Sequence, residues 1–266
     1  MRVPFREAVI ACACASFCAV IPLGAQTARL QRMPDGKPNL NGIWQAMNTA
    51  NWDLQEHASQ PGLVPTLGAE GAVPGGPGVV EGGEIPYLPA AKEKKKENFA
   101  HRLAADPEIK CYLPGVPRAT YMPYPFQILH SDKAIFFAYQ YDGAVRNIFL
   151  KDPGPAPADS WMGQSVGHWE GDTLVIDVTG MDERTWFDRA GDFHSDALHV
   201  VERYTPMGPD VLSYEATIED PKTFSRPWKI RMPLYRHLEK DARLMEFKCV
   251  EFAEELMYGQ FTKTEK

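Results

Sequence analysis

The sequence lacks the motifs by which the large reaction classes announce themselves. It has no Gly-x-Ser-x-Gly elbow, no Walker loop and no dinucleotide-binding glycine fingerprint, so serine-hydrolase, nucleotide-hydrolase and nicotinamide-dependent readings lose most of their support. His-Glu-x-x-His is also missing. His194 and His199 meet no metal-ligand spacing and have no further clustered ligand nearby in sequence, so neither a metal nor another cofactor is expected. Basic charge is in deficit: 28 Lys plus Arg against 35 Asp plus Glu leave a net −7. A chain with that balance is a poor candidate for binding a phosphate backbone, and no nucleic-acid partner is expected. The apolar run at residues 8–23 falls short of the roughly 18–20 residues that span a bilayer, so stable membrane insertion is not expected either.

That run reads instead as the core of an export signal. Arg2 and Arg6 precede it, and Gly24 and Ala25 supply the small residues of a cleavage site. The expectation is a cleaved signal peptide over residues 1–25, a periplasmic or secreted protein, and a single β-barrel domain over 26–266. Cysteine then becomes scarce. Cys12, Cys14 and Cys18 leave with the signal, and Cys111 and Cys249 remain. Two cysteines in an exported chain are most simply one disulfide, and closing so long a loop stabilises by roughly 4–5 kcal/mol less any strain. The alternative, a reactive thiolate, is disfavoured in an oxidising compartment.

Proline is plentiful: 23 residues, nearly twice the usual share, a level that suits strands and loops better than long helices. Residues 47–88 lose periodicity and fill with Gly and Pro, which predicts a loop draped on the surface. Residues 90–105 carry a Lys/Glu run and then Phe99 and Leu103 at helical spacing, which predicts one amphipathic helix stopped by Asp106-Pro107. This loop and helix, 47–110, form an insertion. From residue 125 the pattern becomes short strands separated by turns, including a Gly171-Asp172 two-residue hairpin and a last strand at 244–250. No βαβ alternation occurs. The expected fold is mainly β: an antiparallel up-and-down barrel of about eight to ten strands with one flanking helix. Gly42-Ile43-Trp44 resembles the Gly-x-Trp opening of lipocalin-like (calycin) barrels, where the Trp plugs one end. A core Trp after a turn Gly is the plainer alternative.

The richest chemistry lies in residues 180–197, far more chain than a hairpin needs, and long loops on rigid scaffolds often carry sites. His194 with Asp188 or Asp196 forms the carboxylate-oriented imidazole that a general base requires, beside Trp186. A purely structural loop, with His194 bonded to a backbone carbonyl, stays equally open. In the proline-rich lead-in at 111–126, Tyr121 and Tyr124 can line a pocket for a planar ligand and Arg118 can meet a carboxylate, or the segment can simply close the barrel floor. Glu202 and Arg203 face opposite sides of their strand. An inward charge needs a partner or a ligand, so Arg203 is a candidate anion anchor, with a structural ion pair as the commoner role.

Several segments act together here: residues 38–44, Leu113-Pro114-Gly115-Val116-Pro117-Arg118, the stretch 162–177 with its Trp-Glu-Gly-Asp-Thr-Leu block, Thr185-Trp186-Phe187-Asp188, His194-Ser195-Asp196-Ala197-Leu198, Glu202-Arg203 and Asp220-Pro221. They resemble a large family of secreted bacterial proteins that has no general activity to transfer. Family members often carry Asp-Gly-Arg after the strand that here spans 146–150; this chain has Lys151-Asp152-Pro153-Gly154 instead. A barrel with an aromatic lining and the His/Asp-rich loop give the functional expectation: a cofactor-independent enzyme doing acid–base chemistry of a lyase type, elimination or decarboxylation. Its substrate is a small aromatic or apolar molecule held in the barrel. His194 is the base, Asp188 or Asp196 its orienter, and Arg203 or Arg118 the substrate anchor. The alternative is a non-catalytic carrier of a small apolar ligand.

Overall fold

A computed structural model describes residues 30–257 apart from 63, 65–71 and 254; the expected signal peptide lies outside the described residues. Nine strands close into a barrel. In chain order they are β1 (Gly42–Ala46), β2 (Phe126–His130), β3 (Ile135–Tyr139), β4 (Val145–Phe149), β5 (Gln164–Glu170), β6 (Thr173–Thr179), β7 (His199–Pro206), β8 (Val211–Glu219) and β9 (Trp228–Arg236). Each pairs with its sequence neighbour, and β1 pairs with β9 to seal the wall, with Trp44 opposite Arg236.

Alternation drives closure. Along β7 and β8 every second residue is buried, and the inward set includes Val200, Tyr204, Tyr214 and Ile218, while Glu215 faces out to Lys229 and Arg231. The Gly171-Asp172 hairpin has the expected register, with Glu170 opposite Thr173 and Trp169 opposite Leu174. Trp44 is fully buried, donates its indole N–H to the Leu40 carbonyl (2.9 Å) and lies under the Arg236 guanidinium.

Three expectations need correction. The barrel is not wholly antiparallel: β4 and β5 run parallel, joined through only Ile148–Ser165 and Phe149–Val166. The connection between them contains Pro153, Pro155 and Pro157, which cannot donate to a ladder, so the chain returns along the wall before β5 begins. The strand expected at 244–250 does not form, because β9 already has β8 on one edge and β1 on the other, leaving no edge to extend. The helix expected over 90–105 is two: α1 (Pro89–Ala100) and α2 (Arg102–Ala105), broken at His101. It docks through the small Ala91, its one buried residue, and leaves Phe99 and Leu103 largely exposed.

The proline-rich lead-in contains a short helix, α3 (Arg118–Tyr121), with all four residues buried against the barrel. Cys111 and Cys249 form a disulfide with their Cα atoms 5.6 Å apart. The bridge joins this lead-in to the tail after β9 rather than to a last strand. No helix of the described residues is long and apolar enough to cross a membrane.

Candidate functional site

The barrel lumen is filled by side chains. Trp44, Phe126, Phe137, Tyr204 and Tyr214 are all fully buried within one core. Across it runs a polar chain: Arg146 on β4 donates to Glu202 on β7 and to Ser165 Oγ on β5 (2.7 Å), while the Tyr204 and Tyr214 hydroxyls donate to the other Glu202 oxygen (2.9 and 2.8 Å). Burial, and then the Glu202 charge, push both tyrosines well above their ordinary pKa. Burial alone would weaken the hold of Arg146 on its proton, but Glu202 overrides it and the guanidinium stays charged.

The cleft that His194 lines lies outside this wall, between α1 and the 181–198 loop, with a volume of about 560 Å³. Trp186 and Phe193 form an antiparallel bridge inside the loop and pack with Ala91. Gly191 (φ +85°) lets the loop approach α1: a Cβ there would stand 2.8 Å from the Asn98 Cβ, and Asn98 donates to the Gly191 carbonyl.

His194 is held at both nitrogens. Nδ1 lies 2.8 Å from the Ser195 carbonyl, an acceptor, so Nδ1 carries the proton. Nε2 lies 2.6 Å from Thr185 Oγ1, which then donates to it; the Asp182 carbonyl stands 3.2 Å from the same hydroxyl as a second acceptor. Burial lowers the imidazole pKa, so the ring is neutral at neutral pH. Asp220 sets the frame by accepting from the Ser195 backbone N–H (2.6 Å) and hydroxyl (2.8 Å). Thr185 and Asp220 were passed over as site residues, although both stand in the motif segments; their signal was a hydroxyl and a carboxylate in tight turns, which usually cap the backbone.

The expected carboxylate partners of His194 sit elsewhere. Asp188 is fully buried and accepts from the backbone N–H groups of Leu54, Ala190 and Asp192. Burial, and then the Asp192 carboxylate, raise its pKa well above the usual range. Asp196 is on the surface, bonded to Lys222 (2.6 Å). Asp53, Asp188 and Asp192 each offer an oxygen within 4.8 Å of the others, the kind of set a hard cation uses. Here backbone donors already occupy both Asp188 oxygens, and Lys95 stands 3.8 Å from Asp192.

Trp186 lines the cleft with His194. The remaining expected ligand contacts are spread out. Arg118 is buried in ion pairs with Asp106 (3.0 Å) and Glu108 (2.6 Å). Burial alone would raise the Glu108 carboxyl, but Arg189 and Arg118 bring it down to about 2. Tyr121 is buried and donates to the Phe187 carbonyl (2.8 Å), and Tyr124 packs on Tyr141 and Phe247. Arg203 faces outward to Glu170 (2.7 Å). His194 and Trp186 therefore come together, and the other expected site residues brace the scaffold.

Compared with known proteins, the chain matches no family profile, no curated protein and no solved structure.

Proposed function

We propose that this protein is an exported, cofactor-independent enzyme whose cleft between α1 and the 181–198 loop performs lyase-type acid–base chemistry on a small aromatic or apolar molecule. The observation that carries the reading is the neutral, doubly anchored His194 in the wall of a cleft that also presents Trp186 and Phe193. A base with a lowered pKa is unprotonated at neutral pH, and a fixed Nδ1–H directs proton uptake to Nε2. In the step proposed, a substrate C–H bond breaks and its proton goes to Nε2. In an elimination the electron pair left on carbon forms the new double bond as the leaving group departs. In a decarboxylation it is instead the acid's O–H proton that moves to Nε2, the C–C bond breaks to release carbon dioxide, and the pair left on carbon takes that proton back from the imidazolium. The imidazolium Nε2–H then donates to Thr185 Oγ1, whose own hydrogen turns to the Asp182 carbonyl. The Cys111–Cys249 bridge supports export, since such bonds persist in oxidising compartments.

The test pairs native mass spectrometry with turnover of small aromatic compounds bearing an acidic C–H. The expected result is ligand-free protein that converts a member of the panel, with His194→Ala at least about a hundredfold slower. Undiminished turnover in His194→Ala removes the assignment. A co-purified apolar ligand with no turnover replaces the enzyme reading with the carrier.

A further inference from the structure

Charge around the cleft is opposite to that of the chain. Net charge is −7 overall, yet the cleft is lined by Lys94, Lys110, Arg184 and Lys222 against the single carboxylate of Glu183. Two of these cations are already matched: Arg184 by Asp182 (2.5 Å) and Lys222 by Asp196 (2.6 Å). Lys94 and Lys110 have no carboxylate within ion-pair distance among the described residues. Lys94 Nζ instead stands 5.6 Å from the centroid of the Phe193 ring. Tyr112 also lines the cleft, its ring tilted against Trp161 (4.7 Å between centroids), and the Arg184 guanidinium lies 4.4 Å from the same indole. Two unmatched ammonium groups at an aromatic-walled cleft of about 560 Å³ recognise a flat ring with a negative group attached.

We infer that the cleft takes a small aromatic carboxylate, with its ring against Trp186 and Phe193 and its carboxylate between Lys94 and Lys110. The inference rests on the cleft being the ligand site, as argued above, and narrows its substrate class from aromatic or apolar to anionic aromatic. The physical division of labour is ordinary: ring contact supplies burial, and the lysines decide between an acid and its neutral isostere. His194 shares that cleft wall with Trp186 and Phe193.

Titration calorimetry of the exported protein with phenylacetate, indole-3-acetate and phenylacetamide tests this. The acids should bind, phenylacetamide should bind at least about tenfold more weakly, and added salt should narrow the gap. In the double variant Lys94→Gln/Lys110→Gln the acids should lose about tenfold while the amide is unchanged; both lysines are on exposed or half-exposed positions, so folding is preserved. Trp186→Ala should weaken acids and amide together. Equal affinity for acid and amide, or acid binding indifferent to the two lysines, overturns the inference and leaves the cleft reading standing. No binding of any probe, or binding indifferent to Trp186→Ala, overturns both.

Discussion

Asp192 shows how much one atom can weigh. Its Oδ1 accepts the Tyr87 hydroxyl (2.8 Å), but Oδ2 is buried and accepts no hydrogen bond, with Lys95 3.8 Å away as its counter-charge. The neighbouring Asp188 carboxyl is raised well above its ordinary pKa, first by burial and then by Asp192. A carboxyl raised in the folded state contributes stability that is present below the unfolded pKa, near 4, and is lost as pH rises through the folded value. Asp192→Asn keeps an oxygen for Tyr87 and replaces the unpaired oxygen with an amide donor facing Asp188. The variant should be more stable than wild type at neutral pH, and its stability should fall less between about pH 5 and about pH 8. Urea unfolding at the two pH values measures it; an unchanged slope would show that Asp192 is not what raises Asp188.

At the scale of elements, the strands were legible because their alternation is local. From Phe126 to Arg236 the polarity pattern places eight strands to within about two residues, and Gly171-Asp172 sets its own hairpin register. What was not legible depends on partners distant in sequence. Met245, Phe247 and Cys249 alternate with charged residues as a strand would, yet whether a strand forms depends on a free edge, which closure by β1 removes. Phe247 packs instead on Tyr124 and Tyr141, Met245 N–H donates to Gln140, and Phe252 N–H donates to the Ile109 carbonyl. The site divides the same way: His194 and Trp186 share one loop and were found, whereas Asp220 reaches Ser195 across the chain and was not. The tail is thus a strap held by a few contacts and the Cys111–Cys249 bridge. Exported protein should show no free thiol among these two positions, and Cys111→Ser/Cys249→Ser should lower the melting temperature, with an upper bound of roughly 4–5 kcal/mol from loop entropy. Limited proteolysis after reduction should cut first beyond Arg236. Cleavage elsewhere, with the tail still protected, would show that packing and not the bridge holds the strap.

For the whole molecule, the shortest strand pairing of the barrel coincides with a fully buried ion pair. β4 and β5 share two paired positions, the fewest of any neighbouring pair in the barrel, and Arg146 spans that seam by bonding Ser165 while pairing with Glu202 on the far wall. Glu202 in turn gathers Tyr204 and Tyr214, and Tyr204 lies 3.3 Å from Thr120 on α3, whose Tyr121 donates to Phe187 in the loop that carries His194. The lumen network therefore ties the seam to α3 and, through it, to the backbone of the site loop. Burying the pair costs desolvation, so its loss should be asymmetric. Arg146→Met alone leaves Glu202 charged and buried without its cation and should cost about 3–5 kcal/mol. Adding Glu202→Gln removes that charge while keeping an oxygen for both tyrosines, so the double variant should be more stable than Arg146→Met despite carrying one more substitution. Chemical denaturation across the double-mutant cycle measures the coupling. Should the two losses simply add, Arg146 and Glu202 would be holding the barrel independently, and the seam would owe its stability to the backbone ladder and the surrounding apolar core.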